Sequence, residues 1–267
     1  MNREQLVAEI FRKKSFLCVG LDTDEQKLPE GLEAYDEPVF EFNRRIIDAT
    51  RDHCVSYKLN TAFYECLGAR GWEIMAKTIQ YIGDTHFIIA DAKRGDIGNT
   101  SDMYARAFFK DLGADAVTVA PYMGRDSVEP FLRYEDKSTI LLALTSNAGG
   151  TDFQLLQSDG LELYKQVLKT SQTWDGAQRL MYVVGATRAE YLLEIRSYIP
   201  DAFLLVPGVG AQGGSLADVV KYGRNKEIGL LINASRSVIY ASAGSDFAEA
   251  AALEARRMAA EMADLAF

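Results

Sequence analysis

The residues best suited to chemistry lie in segment 85–100, THFIIADAKRGDIGNT, where an apolar run ends by delivering Asp91, Lys93 and Asp96 within six residues. In an extended strand, side chains two apart share a face and are separated by about 6.6–6.8 Å along the chain. Asp91 and Lys93 are therefore expected to point the same way, with Ala92 opposite. Gly95 then breaks the strand, and Asp96 enters a loop leading to a helix near Ser101. Alternating charges at the end of a buried strand are costly unless they neutralise one another or meet a ligand. That is the mark of a functional site.

Such an end must be held by neighbouring strands, and the chain supplies them. Eight short runs are rich in β-branched and aromatic residues: FLCVGLD (16–22), CVSYKLN (54–60), HFIIADAK (86–93), AVTVAP (116–121), TILLALTS (139–146), MYVVGA (181–186), FLLVPGV (203–209) and GLLINAS (229–235). They are near-continuous rather than alternating, as expected of parallel strands covered on both faces. Segments of helical periodicity lie between them, among them FEFNRRIIDATRD, WEIMAKTIQYI, MYARAFFKDLG and RAEYLLEIRSYI. Eight strand–helix repeats without a Pro/Ser-rich linker predict an α/β fold, a single-domain (β/α)8 TIM barrel over residues 1–267. A doubly wound open sheet is the alternative, but no GxGxxG follows the first strand. The Ala-rich segment SDFAEAAALEARRMAAEMADL is predicted as a helix capped by Ser245 or Asp246, closing the ring over strand eight.

The bulk numbers allow one large domain or two small ones with a full core. The chain has 267 residues, 48% of them apolar, and a formal net charge of −9, which disfavours a general nucleic-acid or anionic-membrane binder. Cys18, Cys54 and Cys66 show no CxxC spacing and read as buried thiols in a reducing compartment. The N-terminus, MNREQLVAEIFRKKSF, is too interrupted by charge for a signal peptide and suits a short amphipathic helix. No run is long and apolar enough for a transmembrane span, so a cytoplasmic protein is expected.

In a barrel of this kind the active site occupies the C-terminal ends of the strands. Strand one presents Asp22 there, strand two Lys58 and Asn60, and strand three Asp91 and Lys93. Strand five presents Thr145 and Ser146, strand seven Pro207 followed by Gln212, and strand eight Ser235 and Arg236. A lone Asp-x-Lys is most often a rim ion pair worth under about 1 kcal/mol. Charges on three neighbouring strands at one end instead predict an Asp22/Lys58/Asp91/Lys93 network. Loops 147–160 and 208–215 both follow strand ends and are candidate lids. Gly208, Gly210, Gly213 and Gly214, with a helix starting near Ser215, offer backbone N–H groups to an anion, and Arg236 on the next loop can fork onto phosphate oxygens.

Other residues read as structural. His53 and His86 precede strands two and three, away from the site, which leaves no histidine for acid–base work or a zinc triad. Trp72 and Trp174 belong with helix packing. The cluster Asp22/Asp24/Glu25 could hold Mg²⁺, but Lys58 and Lys93 make internal ion pairing the better use of Asp22.

With DAKRGDIGNT, SYKLN, GLD, LTSN, PGVGAQGG and NASR together, the chain closely resembles the orotidine 5′-monophosphate decarboxylases, in the bacterial branch that carries DAKRGDI. The likeness runs from strand one to strand eight. The Asp-x-Lys-x-x-Asp element is shared with related sugar-phosphate barrels, which have a metal-binding carboxylate at the end of strand two where this chain has Lys58. The resemblance implies Lys93 as proton donor at C6 of the pyrimidine and Asp91 against the substrate carboxylate. Asp96 and Thr100 would reach into the neighbouring site of a homodimer, Asp96 beside the lysine and Thr100 at the ribose. Asp22 and Lys58 would bind ribose hydroxyls, Ser146 the pyrimidine edge, Gln212 both base and phosphate, and Arg236 the phosphate. Ile97 and Pro207 complete the implied substrate contacts. The loop after strand seven departs from some relatives, Gly213 following Gln212 where they have a longer loop with a Gln-Tyr pair.

The resemblance further implies a reaction without a cofactor or metal: loss of CO₂ from orotidine 5′-monophosphate to give UMP, in pyrimidine nucleotide biosynthesis. A metal-assisted sugar-phosphate lyase predicts instead loss of activity in EDTA. A nucleotide-binding barrel without catalysis predicts tight UMP binding and no turnover.

Overall fold

The structure, a computed structural model, describes residues 1–186, 189–210 and 213–267. Eight strands form where the apolar runs predict them: β1 (Leu17–Gly20), β2 (Ser56–Asn60), β3 (Phe87–Arg94), β4 (Ala116–Val119), β5 (Ser138–Leu144), β6 (Leu180–Val184), β7 (Phe203–Pro207) and β8 (Leu230–Ala234). Their hydrogen-bonding order is β1-β8-β7-β6-β5-β4-β3-β2, closed as a barrel. The pairs β1–β2, β2–β3, β4–β5, β5–β6 and β6–β7 are parallel, as runs apolar on both faces require. Helices occupy the intervening segments, including Pro38–Thr50, Ala69–Ile82, Gly98–Arg106 and Ala189–Tyr198. Among the described residues no helix is long and apolar enough to cross a membrane.

The chain divides into two compact units, Met1–Ala92 with Leu112–Asp115 and Asn233–Phe267, and Lys93–Asp111 with Ala116–Ile232. In the first, helix Arg3–Lys13 opens with a reciprocal capping box between Asn2 and Gln5. The Met1 ammonium lies 2.7 Å from Asp115, both side groups being 5% exposed. The other oxygen of Asp115 accepts the Ile88 N–H, so the chain start is pinned to the beginning of β3. Helix Phe247–Ala266 begins at Asp246, whose carboxylate accepts from Ser242 rather than capping the helix. This helix packs on helix Pro38–Thr50 and on β1, with the Phe247 ring stacked on Phe42 at 5.0 Å, and not chiefly over strand eight as the sequence predicts. The aromatic pair sets its position.

Cys18 and Cys54 are buried, whereas Cys66 is exposed, which corrects the expectation of three buried thiols. Cys66 follows the short helix Thr61–Glu65 rather than standing in a strand.

In the second unit, helix Gly98–Arg106 starts ahead of Ser101 and passes into a π-helical turn over Ala107–Asp111. Loop 147–160 carries a 3₁₀ turn at Ala148–Asp152, and Gln157–Ser158 pairs with Leu161–Glu162 as a small hairpin. Arg196 is buried and donates to the carbonyls of Gly223, Ala202, Ile199 and Gly229, tying these loop ends together.

Candidate active site

In the first unit, β1, β2 and β3 present an ion cluster at their C-terminal ends. The register pairs Gly20 with Lys58 and Asn60 with Asp91, so Lys58 starts below both carboxylates and its four-carbon stem spans the step. Its Nζ donates to Asp22 Oδ1 at 3.2 Å and to Asp91 Oδ2 at 3.0 Å. The three side chains are 5%, 16% and 11% exposed for Lys58, Asp22 and Asp91. Burial alone would pull the lysine pKa down, but the fields of Asp22 and then Asp91 outweigh it and hold Lys58 above its ordinary value. Two carboxylates around one ammonium leave the trio with a net negative charge.

The backbone beside Asp22 is fixed from below. Tyr64 donates its hydroxyl to the Leu21 carbonyl at 2.9 Å, and Asn43 donates to that hydroxyl at 3.1 Å. Asn43 also accepts from Thr23 at 2.6 Å. Cys18, two residues before Gly20 on β1, is fully buried, and desolvation pushes its thiol up to about 12, so it stays neutral. Ser235, just past β8, donates its hydroxyl to Asp22 Oδ2 at 2.6 Å. Arg236 is exposed and opens the short helix Arg236–Ile239. Asn60 caps the helix after β2 by accepting the Ala62 N–H, which is a structural use of a strand-end polar group. The neighbouring acids are separately engaged, Asp24 capping Gln26 and Glu25 lying 3.3 Å from Arg70. Among the described residues no three His, Cys, Asp or Glu side chains are grouped to hold a metal ion.

In the second unit, Lys93 departs from regular strand geometry. Its φ is +48°, left-handed for a non-glycine residue, and its N–H donates to Thr118 Oγ1 on β4 at 2.9 Å. The strand continues through Arg94 with this left-handed residue inside it. A left-handed lysine costs of order 1–3 kcal/mol, the kind of strain found where function requires a side chain re-aimed. Lys93 is exposed.

The segment after it is ordered by its own polar groups. Asp96 accepts the Ile97 N–H at 2.8 Å, Ser101 donates to the Asp96 carbonyl, and Thr100 donates its N–H to Ile97 O at 3.2 Å. Ile97 is 50% exposed and Thr100 is exposed. Ser146 is half-buried beyond β5, beside Gly185, where a Cβ would come within 2.8 Å of Ser146. Pro207 ends β7. Gln212 lies outside the described residues.

The glycine loop after β7 differs from expectation. Gly208, Gly210 and Gly213 adopt φ values of +94°, +70° and +86°, and the loop turns back on itself. Gly210, Gly213 and Gly214 donate their N–H groups to Gly214, Gly210 and Gly208 carbonyls, so these three amides serve the loop and not an anion. Ser215 caps the helix Leu216–Gly223 through the Asp218 N–H.

Sequence reasoning placed Ser235 at a strand end but missed its bond to Asp22. The available signal was Gly20, an isolated glycine inside an apolar strand, which marks a close approach by another group.

Residues 15–252 match the Orotidine 5'-phosphate decarboxylase / HUMPS family. The chain belongs to this family. It is 62% identical to the orotidine 5'-phosphate decarboxylase of Flavobacterium johnsoniae, over 99% of this chain and 98% of that protein. It is 60% identical to that of Christiangramia forsetii, over 98% of each. Among solved structures, it superimposes on the OMP decarboxylase of Leishmania donovani with a TM-score of 0.84 and 35% identity, over 99% of this chain and 100% of that one. Membership over nearly the whole chain agrees with the barrel topology and with the resemblance carried by the strand-end motifs.

Proposed function

We propose that this chain is a carboxy-lyase that converts orotidine 5′-monophosphate to UMP, acting in the cytoplasm as a single barrel domain over residues 1–267 and as a homodimer. The buried Asp22–Lys58–Asp91 cluster, in a chain of this family, is the observation that carries the reading.

Loss of CO₂ from C6 leaves an electron pair in the plane of the pyrimidine ring, where the π system cannot take it up. Stabilisation must come from fixed charge near that carbon. Lys93 supplies an ammonium there and then donates its proton to C6. For unit charges about 4 Å apart at an effective dielectric of 20 the attraction is ~4 kcal/mol, so one lysine carries only part of the effect. The fixed Asp22–Lys58–Asp91 array adds preorganised charge, and Asp91 opposes the substrate carboxylate, a repulsion relieved as neutral CO₂ leaves and the electron pair stays on C6 beside Lys93. Asp96 enters from the second subunit beside Lys93, with Ile97 and Thr100 of the same segment against base and ribose.

Lys58 and Asp22 bind the ribose hydroxyls. Two Lys58 N–H groups are spent on carboxylates among the described residues, and the third donates to the ligand. Ser146 reads the pyrimidine edge, Pro207 lines the base, and Gln212 bridges base and phosphate. Arg236 grips the phosphate, where binding energy remote from C6 can be used to close the site and expel water. No step of this mechanism calls for a cofactor.

The test monitors the ultraviolet absorbance of orotidine 5′-monophosphate mixed with the protein in the presence of chelator. Steady conversion to UMP is expected, and Lys93→Ala is expected to abolish it while retaining fold and UMP binding. Turnover by Lys93→Ala near that of the parent removes the proton-donor role. Co-expressed Lys93→Ala and Asp96→Ala chains are expected to regain activity through one complete site per mixed dimer. Verified mixed dimers without activity would remove the shared site.

A further inference from the structure

We infer that Ser235 is a positioning residue that ties the Asp22–Lys58–Asp91 cluster to the turn carrying Arg236, and that Gly20 is glycine to admit its hydroxyl. The inference rests on the proposed decarboxylase function and adds to it a residue with no direct role at the reacting atoms.

Ser235 Oγ lies 2.6 Å from Asp22 Oδ2 and 3.1 Å from the Gly20 carbonyl. A hydroxyl has one hydrogen, and the shorter, charge-assisted contact takes it. Asp22 thus has both oxygens engaged, Oδ2 by Ser235 and Oδ1 by Lys58, which leaves its carboxylate one rotamer. Lys58 in turn donates to Asp91. At its other end, Ser235 is the residue from which the Arg236 helix starts, and its carbonyl accepts the Val238 and Ile239 N–H groups at 2.9 Å each. One residue therefore belongs both to the charge cluster and to the turn that presents the guanidinium.

Gly20 makes the contact sterically feasible. A Cβ at position 20 would overlap Ser235 Oγ and come within 3.3 Å of Asn233 Oδ1. Gly20 has no positive φ among the backbone angles, so its absent side chain, and not its backbone freedom, is what the site uses. Asn233 Oδ1, buried at this corner, is an acceptor and cannot replace the Ser235 hydroxyl as a donor to Asp22.

The experiment compares Ser235→Ala with the parent chain and repeats the substitution in an Asp22→Ala background. Ser235→Ala is expected to lower kcat/KM about 10- to 100-fold, chiefly through kcat, with the thermal midpoint nearly unchanged. In the Asp22→Ala background the same change is expected to alter the residual rate by less than about twofold, because a residue acting through Asp22 has nothing left to position. Gly20→Ala is expected to reproduce the loss with Ser235 still present, and carries the comparison if Ser235→Ala does not fold. A kcat within twofold of the parent, or an equal loss with and without Asp22, would overturn the inference. Absence of decarboxylation in the parent chain would instead overturn the functional reading itself, so the two failures are distinguishable.

Discussion

Lys13 and Lys58 are two buried ammonium groups in the same unit, at opposite ends of the same strands, and their surroundings treat them oppositely. Lys13, at the N-terminal ends of β2 and β3, donates to the carbonyls of Arg51 and Cys54 at 2.7 and 2.8 Å and faces His86 Nε2 at 2.9 Å. Its side chain is 7% exposed, with Glu9 no closer than 3.9 Å. Two ammonium hydrogens have carbonyl partners, and His86 Nε2 lies also 2.8 Å from the Arg51 carbonyl, yet desolvation holds the Lys13 pKa below its ordinary value. Lys58 is equally buried and is held above its ordinary value by Asp22 and Asp91. Carbonyl dipoles satisfy the hydrogen bonds of an ammonium without replacing the solvation of its charge, whereas carboxylates do both. The first arrangement anchors helix Arg3–Lys13. The second accumulates negative charge where a ligand can use it.

The largest effect that separates the two should come from Lys58→Met. Removing the ammonium leaves Asp22 and Asp91 facing one another while buried, at a cost of about 3–5 kcal/mol in stability. Urea unfolding would show that loss, and kcat/KM is expected to fall at least about 100-fold with it. Lys13→Met should cost about 1–3 kcal/mol by taking the ammonium from the Cys54 carbonyl and leaving Arg51 only its His86 contact, with kcat within twofold of the parent. A large kcat loss in Lys13→Met would erase the distinction between anchor and site.

A pH effect belongs to the anchor end alone. Burial, then the adjacent Lys13 charge, lowers His86 from 6.5 to about 4. Above pH 6.5 both folded and unfolded chains carry it neutral, and its contribution is complete. Between pH 6.5 and 4 the unfolded chain takes up a proton that the folded chain refuses, so stability falls as the solution is acidified. The total is of order 3 kcal/mol. Urea midpoints measured from pH 7.5 to 5 should fall more steeply for the parent than for His86→Gln. The smallest effect is expected from Arg12→Ala, whose solvent-facing pair with Glu9 contributes about 0.2–1 kcal/mol and should weaken with salt.

Much of the scaffold was legible because its causes are local. The apolar runs alone locate all eight strands, and helical periodicity finds Pro38–Thr50, Ala69–Ile82 and Ala189–Tyr198. Strand-end charges in register also anticipate which residues could meet, since Asp22, Lys58 and Asp91 end neighbouring strands. The left-handed turn at Lys93 was not legible. Lysine has no intrinsic preference for φ of +48°, and the hydroxyl that meets its N–H is on the next strand, at Thr118. The closing helix was found in the sequence and misplaced, because the Phe42–Phe247 stack joins residues far apart in the chain.

By itself, the sequence determined a closed series of parallel strands, the end of each strand at which polar groups gather, and a family membership carried by short motifs at those ends. These come from hydrophobic periodicity and from residue types within a few positions of one another. Only the tertiary structure decided that Ser235, 213 residues from Asp22, secures its carboxylate. It also decided that the glycines after β7 spend three amides on themselves, and that Lys13 anchors its helix through backbone carbonyls. A hydrogen bond or an ion pair depends on distances that the chain acquires on folding, and no spacing along the sequence encodes them.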